Sequence, residues 1–349
     1  MMRLPHFEFH SPRTVADAAV LLAESPGDTM IVAGGTDLLP NMKRRQQTPR
    51  RLISLRRIDG LRDLRHAGEF VIGAGATLTS LVRDDRIRRD CTGLWQAAAQ
   101  VATPHLRNMG TIGGNLCLDT RCTYYDQSLE WRQAIGYCMK KSGETCWVAT
   151  SSPRCLAVSS TDTAPMLEAL GARVRLVSAS GERVIDVADL YRNDGIHYLT
   201  RRADEILTSV VVPDQTGWRS TYWKLRRRGS FDFPVASVAA AIKCDAQGSI
   251  VDARLVLGAV ASRPMASSKA ASRLIGANGL TLSDEAIAAA ADAAFEVAKP
   301  MDNTDFGLHW RKKMTRALVT YALRELRGDD VRELRQKVAR QASLSVIEQ

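Results

Sequence analysis

Met30-Ile-Val-Ala-Gly-Gly-Thr-Asp-Leu38 and Thr103-Pro-His-Leu-Arg-Asn-Met-Gly-Thr-Ile-Gly-Gly-Asn115 decide how this chain is read. The first is a short apolar strand that runs straight into a pair of glycines. Without side chains in the way, main-chain N–H groups at such a turn approach phosphate oxygens closely and donate to them. The second stretch has the same logic, with the Thr111 hydroxyl and the Asn115 amide as added polar partners. It is rich enough in glycine to read as a loop rather than a helix interior. Each loop alone reads equally well as a structural turn. Neither follows G-x-G-x-x-G, and the first lacks the Lys-Ser/Thr ending of a P-loop, so a Rossmann site or an NTPase is unsupported.

Outward from these loops, Thr14 to Glu24 reads as a helix with Ser11 or Thr14 as its N-cap. Residues 51–55 and 70–76 read as strands, and Leu78–Arg83 and Leu94–Val101 as helices. Asp162 opens another short helix. Arg173-Val-Arg-Leu-Val alternates as a half-buried strand should, Gly181 fits a hairpin turn, and Glu205–Pro213 is a strand closed by proline. A further domain begins near Trp218, with strands at 220–225, 235–244 and 250–260. Its helices are expected at 267–274, 283–298 and 303–326. The charged residues 327–349 read as a peripheral helix or a frayed tail.

The 349 residues, 45% hydrophobic and 25% charged, suit a globular protein of two or three domains. No apolar run reaches the length that spans a bilayer, and MMRLPHFEFHSPRT has neither a signal-peptide core nor a twin arginine. The expectation is a cytoplasmic protein without a membrane partner. The net charge of +10 raises the question of nucleic acid, but only 6% of residues are aromatic and none interleaves with the basic runs as in an RNA-binding sheet. No nucleic-acid partner is expected; runs such as Arg226-Arg227-Arg228 suit solvent or an acidic partner.

Five of the seven cysteines fall between Cys117 and Cys155, whereas Cys91 and Cys244 stand alone in apolar surroundings. In a reducing compartment, clustered cysteines favour metal or redox roles over disulfides. Cys122, Cys138, Cys146 and Cys155 are separated by fifteen, seven and eight residues, with no C-x-x-C. That spacing alone leaves an iron–sulfur centre, a Zn(Cys)4 knot and unmetallated thiols all open.

The order strand–AGGTDL, then TPHLRNMGTIGGNL, then S/T-D-x-x-P-x-L-x-A-L-G-A resembles the flavin subunits of the molybdenum hydroxylases, the xanthine dehydrogenase and carbon monoxide dehydrogenase flavoprotein family. The resemblance runs from about residue 5 to about residue 325. It implies an α+β protein: two α/β FAD-binding subdomains (PCMH/VAO-like) over residues 1–217, then a carbon monoxide dehydrogenase flavoprotein-type α+β domain over residues 218–326. It also implies FAD lying between the subdomains. Ile31, Val32, Ala33, Gly34, Gly35, Thr36, Asp37 and Leu38 would hold its pyrophosphate and adenosine side. Thr111, Gly113, Gly114 and Asn115 would form a second wall. Asp162 would bind hydroxyls, Leu207 would line the adenine side, and Lys224 would reach the flavin. No residue of this chain is assigned acid–base chemistry on a substrate.

In this family GGN and the S/T-D motif are separated by a short loop, but here Asn115 and Asp162 stand 47 positions apart. The extra stretch, at about 118–158, contains CLDTRCTYYDQSLEWRQAIGYCMKKSGETCWVATSSPRC (117–155). It resembles the cluster-bearing loop of the 4-hydroxybenzoyl-CoA reductase branch, which implies a [4Fe–4S] cluster on Cys122, Cys138, Cys146 and Cys155. Cys117 is left outside this ligand set, and Arg121, Lys140, Lys141 and Arg154 would offset the cluster's charge. The resemblance implies a molybdenum-cofactor subunit, a small subunit with [2Fe–2S] clusters and ferredoxin as donor, in a heterotrimer that pairs into a heterohexamer. The reaction implied is reductive dehydroxylation to benzoyl-CoA; the alternative is another molybdenum hydroxylase that reduces NAD or a quinone.

Overall fold

Thr29–Val32 pairs in parallel with Arg51–Ser54, which pairs in parallel with Glu8–His10. Parallel neighbours need crossovers, and helices Val15–Glu24 and Leu38–Lys43 supply them. Thr14 caps the first of these, accepting from the Asp17 N–H at 3.0 Å. That helix buries Ala18, Ala19 and Leu22 against Ile53, Ile58 and Ile206. This computed structural model describes residues 3–229 and 231–344.

A five-stranded antiparallel sheet follows, ordered Leu64–Ala67, Glu69–Gly73, Ile206–Val212, Arg173–Ser178 and Gly181–Asp186. Val174 and Leu176 point inward while Arg173 and Arg175 stay exposed, the alternation expected of a half-buried strand. Helices Leu78–Arg83, Thr92–Gln100 and Thr163–Ala169 cover the inner face in one continuous core. Strand Leu64–Ala67 and helix Asp85–Asp90 were not expected from the sequence, because both are short and mostly polar.

The last sheet is antiparallel, ordered Met265–Ala266, Ile250–Gly258, Ala236–Cys244 and Trp218–Leu225. Both of its faces are covered. Tyr222, Ala239, Ala241 and Val256 join the core of the middle unit, while Trp223, Val238, Ala240, Ile242 and Leu257 pack on helices Asp284–Val297 and Leu308–Arg327. Burial on both sides is why residues 235–242 read as an apolar run without alternation. The fold is therefore α+β, built on three sheets with covering helices, as expected.

The tail is a docked helix, Arg332–Leu344, rather than a frayed end. Arg335 reaches back to Glu325 at 2.6 Å and lies over the Trp223 ring. Residues 345–349 of the expected tail lie outside the described residues.

The stretch 118–158 has a small core of its own. An antiparallel bridge between Arg121 and Val158 clasps its base, with N–H···O distances of 2.8 and 2.7 Å. Inside, Cys122, Cys138, Cys155, Tyr125 and Ala157 pack together, and helix Leu129–Ala134 is capped by Ser128. Asn303 of the last domain holds the base from outside: its carbonyl accepts from the Thr123 N–H and its amide donates to the Leu156 carbonyl.

Glu168 lies on helix Thr163–Ala169, and burial pushes its carboxyl from 4.5 up to about 7, with Arg263 only partly offsetting this. The folded chain thus holds this proton more tightly than the unfolded chain. The stability it contributes is present in full below about pH 4.5 and is lost as pH rises through about 7. Glu168→Gln is expected to raise the melting temperature at pH 8 by a few degrees and to give no gain at pH 5. Equal shifts in melts at the two pH values would contradict this.

Candidate functional site

The two glycine segments face each other across one cavity of about 390 Å³. Ile31 to Leu38 line one side, and Thr111, Gly113, Gly114 and Asn115 line another. Asp162 and Leu207 complete the wall. Of the residues expected around the cofactor, only Lys224 stays off this wall.

The glycines are required here, but partly for a different reason from the one the sequence suggested. A Cβ on Gly34 would stand 2.0 Å from the Met109 carbonyl oxygen, and one on Gly113 would stand 2.7 Å from the Ala74 Cβ. These two positions are bare so that protein segments can touch, not only to leave room for phosphate. Gly35 is needed for its backbone, with φ at 72°.

The segment read as a loop is in fact two short helices, Pro104–Arg107 and Ile112–Leu116. Threonine caps override the glycine content: Thr103 accepts from the Leu106 N–H at 3.3 Å and Thr111 from the Gly114 N–H at 3.1 Å. The Gly113-Gly114 pair therefore lies within a capped helical turn at the cavity wall.

Asn115 ties this turn to the third motif. Its Oδ1 accepts from the Thr161 hydroxyl (2.8 Å), the Thr163 hydroxyl (2.7 Å) and the Thr163 N–H (3.1 Å). Asp162 sits at the N-cap position of its helix but makes no side-chain cap bond. It accepts instead from the Tyr222 hydroxyl at 2.8 Å and from Lys224 Nζ at 2.9 Å. Lys224 also donates to the Gln100 carbonyl, and its side chain is fully buried. Burial pushes the Asp162 carboxyl up and the Lys224 ammonium down, each opposed by the other's charge. Lys224 thus reaches the cavity only through Asp162.

Sequence reasoning missed several wall residues. Ser160 is 3% exposed, lines the cavity and has a hydroxyl with no partner within the protein. A buried orphan hydroxyl marks a place for a polar ligand, and the signal was its position two residues before Asp162. Arg107, Arg201 and Arg228 also line the wall, alongside Asp37, Asp119, Asp162 and Asp232. Arg107 was legible inside TPHLRNMG, whereas Arg201 and Arg228 had no signal beyond their charge.

The four cysteines come from separate turns of the 118–158 stretch, and all are buried and unbonded. Cys122, Cys138 and Cys155 share one small core, and Cys146 is near enough to act electrostatically on Cys155. Burial pushes the Cys122 thiol up to about 12 and the Cys155 thiol up to about 11. Amides oppose that shift: those of Tyr124 and Tyr125 point at Cys122, and that of Ala157 donates to Cys155 Sγ at 3.4 Å. Such N–H groups favour thiolate. A Cβ on Gly195 would stand 2.6 Å from Cys155 Sγ, so the main body is shaped around this sulfur. Among the described residues no three Cys, His, Asp or Glu side chains are placed to hold a single metal ion. Lys140, between Cys138 and Cys146 in sequence, pairs with the cavity-wall residue Asp119 at 2.8 Å.

Residues 5–215 match the model of the FAD-binding domain in molybdopterin dehydrogenase, and residues 220–326 match that of the carbon monoxide dehydrogenase flavoprotein C-terminal domain. The chain belongs to the molybdopterin dehydrogenase FAD-binding family. It is 34% identical to the FAD-binding subunit of aldehyde oxidoreductase from Escherichia coli K12, over 74% of this chain and 82% of that one. The medium chain of carbon monoxide dehydrogenase from Afipia carboxidovorans is 27% identical over 91% and 95%. A carbon monoxide dehydrogenase structure from Hydrogenophaga pseudoflava superposes with a TM-score of 0.75 at 25% identity, covering 92% of this chain and 97% of that one.

The chain is thus an FAD-binding subunit of a molybdenum hydroxylase-type oxidoreductase. The cavity fits that role through its bare glycine segments and the orphan Ser160 hydroxyl. Gly34→Ala is expected to abolish FAD retention, because Met109 cannot withdraw without opening the cavity; FAD released per chain on denaturation measures this. Ser160→Ala is expected to weaken FAD binding roughly 2- to 10-fold, the net worth of one hydrogen bond. An unchanged dissociation constant by flavin fluorescence would remove Ser160 from the site.

Proposed function

We propose that this chain is the electron-transfer subunit of a molybdenum enzyme, with FAD in the cavity and a [4Fe–4S] cluster on Cys122, Cys138, Cys146 and Cys155. One observation carries this reading: four buried, unbonded thiols lie in one stretch, three of them in one small core and the fourth, Cys146, near enough to act on Cys155. Amides aimed at Cys122 and Cys155 support thiolates there. Zinc is less well supported. At about 2.3 Å per Zn–S bond, a single ion draws four sulfurs close together, whereas thiolates on four separate irons stand further apart. The resemblance of the 118–158 stretch to a cluster-bearing loop favours the larger centre.

When bound, the cluster and FAD would relay electrons between a one-electron donor and a molybdenum centre elsewhere in the assembly. The residues of this chain hold, orient and tune. The four cysteines hold the cluster, with the Tyr124, Tyr125 and Ala157 amides stabilising thiolate charge. The glycine segments, Ser160 and Asp162 hold FAD, and Lys224 keeps Asp162 in place. The partners proposed are a molybdenum-cofactor subunit and a small [2Fe–2S] subunit, in a heterotrimer that pairs into a heterohexamer, with reduced ferredoxin as donor.

The resemblance of the 118–158 stretch favours 4-hydroxybenzoyl-CoA reductase, in which two electrons and two protons convert the substrate to benzoyl-CoA and water. Oxidation of an aldehyde is the second reading, favoured by the 34% identity to the aldehyde oxidoreductase subunit. Electrons would then leave through this chain to an acceptor such as NAD or a quinone.

The co-purified complex, assayed anaerobically with reduced ferredoxin and 4-hydroxybenzoyl-CoA, is expected to form benzoyl-CoA. A Cys138→Ser complex is expected to lose at least about 90% of that rate, since the donor's entry point is gone. Aldehyde-dependent quinone or NAD reduction with no benzoyl-CoA would establish the second reading instead.

A further inference from the structure

Helix Leu38–Lys43 begins where the Gly34-Gly35-Thr36-Asp37 turn ends, so whatever fixes this helix fixes that turn. Both of its ends are tied to the cysteine stretch. At the start, Arg121 pairs with Asp37 and donates to Asn41 Oδ1 at 3.3 Å. Past the end, Gln46 Nε2 donates to the Tyr125 carbonyl at 2.6 Å and Gln47 Nε2 to Asp119 at 3.2 Å. Arg132 donates to the Arg44 carbonyl at 2.6 Å.

Arg121 is the residue common to every part. It is 7% exposed, and its main chain closes the base of the stretch against Val158. Its guanidinium also holds Asp126 at 3.0 Å and lies over the ring of Phe233, which lines the cavity. Its chain neighbour is Cys122. Arg121 cannot shift without moving either a proposed cluster ligand or the turn at the flavin cavity.

We propose that Arg121 is a positioning residue for the FAD site, through which order in the four-cysteine centre is coupled to FAD affinity. The coupling rests on the reading that these cysteines hold a cluster; the placement of Asp37 by Arg121 does not. A filled centre cross-links Cys122 to the three other cysteines and so holds Arg121 against Asp37. An empty centre leaves four separate thiols and removes that cross-link from the neighbour of Arg121. Linkage is reciprocal, so bound FAD also favours retention of the metal centre.

The test uses full-length wild type, Arg121→Met, Cys138→Ser and the double variant, purified anaerobically. FAD dissociation constants by flavin fluorescence, iron content and melting temperature are measured together, with binding read well below the melt. Arg121→Met is expected to keep its iron and bind FAD about tenfold more weakly or worse. Cys138→Ser should lose iron and weaken FAD comparably, and the double variant should be no weaker than the poorer single one. Arg121→Lys keeps the charge but loses the forked geometry; it should give an intermediate loss, and it replaces the Met variant if that does not fold. A purely structural role would lower the melting temperature with wild-type FAD affinity, which overturns the proposal. So would Cys138→Ser that loses iron yet binds FAD as wild type does. Wild type without iron would overturn the coupling and the cluster reading together, while the FAD affinity of Arg121→Met would still decide whether Arg121 positions the cradle.

Discussion

The contact between the Gly34 backbone and the Met109 carbonyl is the constraint on which the site depends. With no Cβ at position 34, the turn after the first parallel sheet closes onto the segment that opens helix Ile112–Leu116. Asn115 then binds the second motif to the third through three acceptor contacts, and Asp162 binds the third motif to the last domain through Tyr222 and Lys224. Three motifs far apart in sequence become one wall. Removing one member of the Asp162–Lys224 pair would leave the other buried and charged, a cost of about 3–5 kcal/mol; this makes the pair a structural necessity as well as a neighbour of the ligand.

The cysteine stretch obeys a second constraint. Some forty residues with one short helix must be ordered against their own entropy. The structure does this from three sides: the Arg121–Val158 clasp at the base, Asn303 from the last domain, and the ties to helix Leu38–Lys43. Three of the four cysteines pack in the small core of this stretch. Shared anchoring with the flavin turn joins the cysteine stretch and the flavin cavity in one mechanical unit, which would suit the proposed electron relay, where distance and orientation must be held.

Much of this was legible in the sequence, and the exceptions have physical causes. The strand before Gly34, the capped helix at Thr14 and the alternation at Arg173–Val177 follow from local pattern, because periodicity and caps act over a few residues. The Thr103–Asn115 segment was misread because glycine content outweighed two threonine caps whose hydrogen bonds span only three residues. Lys224 was placed at the flavin by the resemblance; its partner in the structure, Asp162, lies 62 positions earlier and is joined to it only by tertiary packing. Arg201 and Arg228 came to the wall by the same long-range route. The contact of Arg121 with Asp37 was equally hidden, since a basic residue beside a cysteine reads as charge compensation until that contact is seen.

The central claim is that an iron–sulfur centre sits in the cysteine stretch beside FAD. It is tested most directly by iron, zinc, acid-labile sulfide and flavin analysis of the anaerobically purified chain. The account predicts about four irons, about four sulfides and about one FAD per chain. Stoichiometric zinc would recast the stretch as a structural knot, and flavin without iron or sulfide would contradict the claim outright.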